Sequence, residues 1–296
     1  METKFSVIIP TYNRANTIGQ AIQSVLAQTY GNYEIIVVDD GSSDNTEEVV
    51  RNIKSPKLLY YKKENGERAA ARNFGIKKAN GNYISFLDSD DVLYENHLEV
   101  ASQFIKEKNN PEIINLAFDM KNADGKVLAL VDKMPPTVNS KLIYGNTISC
   151  NGVLLRKDIA ENNLFNEDRI LSASEDWELW LRIASQYPIH SCGIITSTIV
   201  NHVDRSVLNF DYKKLINRFE VFLKYVLSNK EVVDYYKGRL HILKASCNTY
   251  IALHIALIGN HRKIALKYLG KGIREYPQVV FTRRFIAVLK HIVENK

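Results

Sequence analysis

Short apolar runs rich in β-branched residues alternate with helix-periodic stretches over the first hundred positions. Strands are predicted at Phe5–Pro10, Tyr33–Asp39, Leu58–Lys62 and Tyr83–Asp88, with helices over about 16–28, 44–53 and 69–78 between them. A switch from a short extended run to a 3.6-residue period and back marks β-α-β units, so these segments build a parallel sheet covered by helices. Ligands of such sheets collect beyond the carboxyl ends of the strands. From roughly 112 to 200 the strands are less regular, near Ile113–Phe118, Val127–Val131, Gly152–Arg156 and Ile194–Val200, with a helix predicted from Asp176 to Gln186. Beyond Asp211 the pattern is helical to the end, including Arg239–Ile258, Arg262–Arg274 and Phe281–Val293.

Composition narrows the class. With 45% hydrophobic and 24% charged residues, no repeat and no Pro/Gly-rich linker, the 296 residues read as ordinary globular protein. No apolar run reaches the roughly 18–20 residues of a spanning helix. Met1 leads through Glu2 and Lys4 directly into the first strand, which leaves no room for a signal peptide and sets the expectation of a cytoplasmic protein. Cys150, Cys192 and Cys247 are odd in number and far apart, as suits reduced, buried thiols.

Charge changes the picture at the carboxy terminus. Residues 211–296 hold 17 Lys+Arg against 6 Asp+Glu, whereas the first 210 hold 22 against 27. Such a basic segment attracts phosphate-rich partners such as an anionic membrane, here the inner face of the plasma membrane, a lipid-linked diphosphate or, by charge alone, nucleic acid. A solvated helical surface explains the same charges. The amphipathic run Phe281, Phe285, Ile286, Leu289, Ile292 is suited to a membrane surface, to packing on the rest of the chain or to a homodimer contact. No nucleic-acid partner is expected.

Polar residues cluster at three strand ends: Thr11, Tyr12, Asn13 and Arg14 after the first; Asp39 to Asp44 after the second; Asp88, Ser89, Asp90 and Asp91 after the fourth. Asp88-Ser89-Asp90 is the strongest local feature, since two carboxylates one residue apart can face a hard divalent cation whose shell a diphosphate completes. The same letters also cap a helix starting near Val92. Asp40 can accept from a pyrimidine imide or a ribose hydroxyl, or can belong to a structural turn. Arg72, on the helix after Glu64-Asn65-Gly66, can meet phosphate oxygens or pair with Asp40 or Asp88. Glu175 and Asp176 open a helix where the dipole favours acids, yet a carboxylate from a separate element is also what an acceptor hydroxyl needs as a base. Trp177 and Trp180 beside them could stack on a sugar or fill a core.

In this order, the strings Ser6-Val7-Ile8-Ile9-Pro10-Thr11-Tyr12-Asn13-Arg14, Val37-Val38-Asp39-Asp40-Gly41-Ser42-Ser43-Asp44, Ala71-Arg72-Asn73-Phe74-Gly75, Phe86-Leu87-Asp88-Ser89-Asp90-Asp91 and Glu175-Asp176 resemble the family-2 glycosyltransferases over about residues 4–205. The resemblance implies a GT-A fold, a Rossmann-like mixed α/β sheet flanked by helices, over 1–208. Its nucleotide-sugar half is about 1–110 and its acceptor half about 111–208, followed by a basic helical region at 209–296. It implies a nucleotide-diphosphate sugar donor, UDP-linked in most relatives, and inverting transfer of one sugar to a glycan or lipid-linked acceptor in cell-surface polysaccharide or glycoconjugate synthesis. By resemblance Pro10, Tyr12, Arg14, Asp40, Asn65, Arg72, Asp88 and Ser89 bind the donor. Asp90 with Asp88, and His202 as a further candidate, hold Mn²⁺ or Mg²⁺. Asp176 is the base, with Glu175 as substitute, and Trp177 and Trp180 meet the acceptor. Arg205 and Ser206 are candidates for a loop over the diphosphate. The Gln-x-x-Arg-Trp string of processive synthases is absent, which implies one sugar per encounter.

Two rival readings remain open. A sugar-phosphate nucleotidyltransferase needs the same metal-bound phosphates but begins with a glycine- and arginine-rich loop, for which Thr11-Tyr12-Asn13-Arg14 is a poor substitute. A non-catalytic nucleotide-sugar-binding module would not need acids at the metal and base positions, and all are present.

Overall fold

Strand β1 (Phe5–Thr11) is buried along its whole length, as is β2 (Tyr33–Asp39). Near-continuous apolar strands of this kind are required where helices cover both faces of a sheet. A computed structural model of the chain describes residues 2–201 and 211–294. In it β1 pairs in parallel with β2 and with β4 (Tyr83–Phe86), and β2 with β3 (Leu58–Lys62). The crossovers are α1 (Ile18–Leu26), α2 (Thr46–Asn52) and α3 (Glu67–Lys78). Helix α1 turns Ile18, Ala21, Ile22 and Val25 into one apolar cluster with Phe5, Val7 and Ile9. Each of its larger aliphatic side chains stabilises the fold by about 1.5–3 kcal/mol through burial. On the opposite face α3 approaches β1 closely: a Cβ at Gly75 would come within 2.5 Å of Ile8 Cγ2, so only glycine fits.

The second half of the sheet is mixed. β5 (Val92–Leu93), β6 (Ile113–Asn122), β7 (Val127–Val131), β8 (Val153–Arg156) and β9 (His190–Asn201) complete nine strands among the described residues. The order is β3-β2-β1-β4-β8-β6-β9-β5, with β7 pairing β6 off this path. β8 runs antiparallel to β4 and β6, whereas β9 lies parallel to β6. The fourth strand closes at Phe86 rather than Asp88, and the helix expected near Val92 does not start there. Buried Leu93 instead pairs with Ser197 of β9, and α4 (His97–Glu107) begins four residues later, after Asn96. Cross-strand pairing of an apolar Val-Leu step outweighs the local helix signal at this point.

The residues form two compact units. The sheet unit comprises 2–138, 148–169 and 187–201, including α5 (Lys157–Asn162). The helical unit comprises 139–147, 170–186 and 211–294. The latter holds α6 (Glu175–Ala184), α7 (Tyr212–Ser228), α8 (Lys230–Tyr235), α9 (Leu240–Ile258), α10 (Arg262–Glu275) and α11 (Arg283–Glu294). Its interior is built from Trp177 and Trp180 of α6, Phe219 and Phe222 of α7, Ile251 and Ile255 of α9, and Leu269 of α10. Among the described residues no helix is long and apolar enough to cross a membrane.

Candidate active site

Parallel pairing places Thr11 beside Asp39, and Leu87 N–H donates to the Ile8 carbonyl at 3.0 Å, so the loops after β1, β2 and β4 leave the sheet along one edge. The first two are laced together. Asn13, at φ 51°, donates its N–H to Ser42 Oγ (2.8 Å) and accepts from Ser43 N–H at Oδ1 (2.9 Å). Arg14 N–H donates to Thr46 Oγ1 and Ala15 N–H to Asp44 Oδ2. An Asn tolerates the left-handed backbone that this crossing needs. Gly41, at φ +85°, makes the turn after β2, where a Cβ would sit 3.2 Å from the Asn65 nitrogen.

The two acids after β2 have separate tasks. Asp39 is fully buried, accepting from Ser42 N–H at 2.7 Å and from the Tyr60 hydroxyl at 2.6 Å, and acts as a brace. Asp40 accepts from Lys63 Nζ at 2.7 Å and from Gly66 N–H at 2.9 Å, both on Oδ1. Asn65 closes the same turn by donating to the Asp40 carbonyl at 3.1 Å and accepting from Arg169 at 2.6 Å. Pro10 is buried within β1, while Tyr12 is 48% exposed and presents a ring on which a base can stack.

Beyond β4 the chain turns at once, with Asp91 N–H donating to the Asp88 carbonyl at 3.0 Å. Arg72 of α3, itself buried, donates to Asp88 Oδ1 at 2.7 Å. Of the pairings open from sequence, the structure realises the one with Asp88. The Arg72 guanidinium also lies 5.2 Å from the centre of the Phe165 ring. That ring segment is fixed by Asn73, which donates to the Phe165 carbonyl and Glu167 and accepts from Phe165 N–H. Arg14 Nε stands 3.9 Å from Asp90 Oδ2, which is charge proximity rather than a hydrogen bond. Ser89 is buried.

Two further residues build this turn: Asn151, which was not singled out from sequence, and Asp91, which was named in its cluster but given no role. Asn151, just before β8 and 1% exposed, accepts from Asp88 N–H at 3.1 Å and donates to Asp91 Oδ2 at 2.7 Å, spanning the turn from end to end. Asp91 is buried and also accepts from Val200 N–H at 2.9 Å. Burial, and then the neighbouring Asp88 and Asp90, push its carboxyl up to about 8. An isolated Asn 60 residues downstream carries no signal in a single sequence.

The donor set decides what metal the turn suits. Asp88 and Asp90 remain 32% and 18% exposed, two hard oxygen donors on one turn. Among the described residues no group of three His, Cys, Asp or Glu could enclose an ion by itself. Mg²⁺-type ions characteristically take one or two carboxylates and fill the shell with water and substrate phosphate, so Asp88 and Asp90 fit an ion shared with a diphosphate. His202, Arg205 and Ser206 lie outside the described residues.

In the helical unit, Glu175 and Asp176 differ sharply. Glu175 is buried at 2% exposure and accepts from Ser174 N–H at 3.1 Å. Asp176 is half-buried, with Oδ1 accepting from Trp177 N–H at 2.7 Å and Oδ2 from the Asn146 amide at 2.8 Å. Trp177 stacks on Phe222 at 4.6 Å and donates its indole N–H to the Leu142 carbonyl, and Trp180 is fully buried. Core packing accounts for both rings, so the acceptor contact expected of them is not carried forward.

Comparison with known proteins agrees with this geometry. Residues 6–155 match the family described as Glycosyl transferase family 2. An uncharacterized glycosyltransferase of Rickettsia felis is 40% identical over 191 residues, covering 64% of this chain and 31% of the relative. The chain thus spans about a third of the length of that relative. The Escherichia coli UDP-Glc:alpha-D-GlcNAc-diphosphoundecaprenol beta-1,3-glucosyltransferase WfgD is 34% identical over 224 residues, covering 75% of this chain and 86% of WfgD. The crystal structure of S. aureus TarS 1-349 with UDP-GlcNAc superposes with a TM-score of 0.63 at 18% identity, covering 95% of this chain and 92% of TarS 1-349. The Pyrobaculum calidifontis mannosyltransferase PcManGT with GDP-Man and Mn²⁺ superposes at 0.62 and 18% identity, covering 100% and 87%. An acid-bearing turn at the end of a parallel strand, a mixed sheet shared with these structures and a family match over half its length lead to one conclusion: the chain belongs to glycosyl transferase family 2 and has the GT-A fold.

Proposed function

We propose that the chain is an inverting glycosyltransferase that moves one sugar from a nucleotide-diphosphate sugar, UDP-linked by preference, to a hydroxyl of a glycan or lipid-linked acceptor. The observation that carries this reading is the Asp88-Ser89-Asp90 turn, whose two accessible carboxylates suit a divalent ion shared with a diphosphate. WfgD, whose name specifies UDP-Glc and a diphosphoundecaprenol-linked acceptor, supports the donor and acceptor classes.

In this reading Tyr12 stacks on the base, and Asp40 accepts from base or ribose through Oδ2, its Oδ1 being engaged by Lys63 and Gly66. Asp88 and Asp90 hold Mn²⁺ or Mg²⁺, which supplies charge neutralisation for the departing nucleoside diphosphate. Arg72 keeps the Asp88 carboxylate in one orientation. Asp176 takes the proton of the acceptor hydroxyl as its oxygen attacks the anomeric carbon, so an α-linked donor yields a β-linked product. Its accessibility, compared with buried Glu175, favours it as the base.

The test is metal-dependent turnover of a panel of UDP-, GDP- and dTDP-sugars by the purified chain and by Asp90→Ala. Turnover of one donor class that nearly vanishes in a folded Asp90→Ala variant is expected. Wild-type turnover in that variant rejects the metal assignment, and diphosphate release from a nucleoside triphosphate plus sugar phosphate replaces the transferase with a nucleotidyltransferase.

A further inference from the structure

Helix α11 has more apolar surface than its unit covers. Val288 and Ile292 are buried, and Arg284 on the same side donates to the Ser246 carbonyl and hydroxyl. Ile286, Leu289 and Val293 recur at helical spacing on another face and are 62%, 41% and 57% exposed. Phe281, in the turn just before the helix, is 86% exposed. Single exposed apolar residues are common, but a strip of four with a nearly bare phenylalanine marks an interaction surface. Exposed Arg283 lies at the start of this helix, and Lys290 follows Leu289 directly.

We propose that this strip seats the helical unit on an anionic lipid surface, with Phe281, Ile286, Leu289 and Val293 entering the headgroup boundary and Arg283 and Lys290 meeting lipid phosphates. Charge selects this occupant. Residues 211–296 carry 17 basic against 6 acidic side chains, so a second copy would bring two strongly basic segments together, while an anionic bilayer gains attraction from every one near its surface. An amphipathic helix with an apolar face and flanking cations lies in the plane of the interface and need not span it. The proposal gives the suggested lipid-linked acceptor a physical location and rests on that reading for its purpose only, because binding is measured without turnover.

The experiment is co-sedimentation of the full chain with phosphatidylcholine vesicles, with and without phosphatidylglycerol, at low and high salt. Binding that requires phosphatidylglycerol and weakens with salt is expected. The double variant Phe281→Ser/Ile286→Ser lowers the partition coefficient at least about tenfold. Arg283→Gln and Lys290→Gln each lower it about fivefold. All four side chains are exposed, so thermal melting and vesicle-free donor turnover stay at wild-type values. Equal binding to neutral vesicles, or binding indifferent to the strip, overturns the proposal. So does a dimer in sedimentation velocity that the double variant dissociates while vesicles bind neither protein. Absence of donor turnover in the wild type counts against the transferase reading alone and leaves the vesicle result standing.

Discussion

The guanidinium of Arg72 donates to the Asp88 carboxylate at 2.7 Å, with the arginine side chain 2% exposed and the aspartate 32% exposed. The cation lies inside and the anion at the rim. The arginine thereby fixes the orientation of the Asp88 carboxylate, while a third of that side chain stays exposed at the site.

This arrangement predicts opposite consequences for the two partners. Asp88→Asn leaves a buried guanidinium short of its counter-charge and lowers stability by about 2 kcal/mol, less than for a fully enclosed pair because Asp88 is a third exposed. Arg72→Lys keeps the charge but not the planar fork, and raises the donor KM more than it lowers stability. Urea unfolding together with donor kinetics checks both, and an Asp88→Asn protein as stable as wild type would remove the structural half of the argument.

The acids at the start of α6 separate in the same way. Asp176→Asn retains donor binding and loses transfer by about 10²-fold or more, the size of a general-base contribution. Glu175→Gln acts mainly on stability, because that side chain is buried against Ser174 N–H. Single-turnover transfer with a fixed acceptor decides between them. Full transfer by Asp176→Asn would pass the role to Glu175.

Away from the site, His97 offers a pH test of the sheet unit. It is fully buried, with Nδ1 2.9 Å from Thr196 Oγ1 and no partner for Nε2 among the described residues. Burial pushes its pKa down to about 4 from an ordinary 6.5. The folded state therefore binds the proton less readily than the unfolded chain. The stability that this histidine contributes is present above pH 6.5 and is lost as pH falls toward 4, by at most about 1.4 kcal/mol per pH unit. His97→Gln should flatten the stability profile in that window, and parallel profiles for the two proteins would show that His97 does not titrate as proposed.

Much of the fold was legible because hydrophobic periodicity is local. Tyr33–Asp39 and Leu58–Lys62 were read with the bounds the structure has, and the acidic turn after the fourth strand stood out as two carboxylates beside an apolar run. Where the local signal conflicted with a distant partner, the reading failed. Val92–Leu93 looked like the start of a helix and is a short strand, because β9 supplies its hydrogen bonds from a hundred residues away. For Trp177 and Trp180 the sequence left a sugar contact and a core place both open, and both are core, because Phe219 and Phe222 of α7 pack against Trp177 and the helical unit encloses both.

The order of the first four strands and their crossover helices, the acid-rich loops and the basic carboxy-terminal segment are properties of neighbouring residues, and the sequence alone determined them. Only the tertiary structure decided that Asp40 belongs to Lys63, that Asp88 belongs to Arg72 and that Asn151 ties both ends of the acidic turn. It also decided that α6 packs with the helices beyond residue 210 and that one strip of α11 stays bare. The reason is physical: a hydrogen bond or ion pair acts over about 3–4 Å in space, and separation along the chain does not encode which residues folding brings that close.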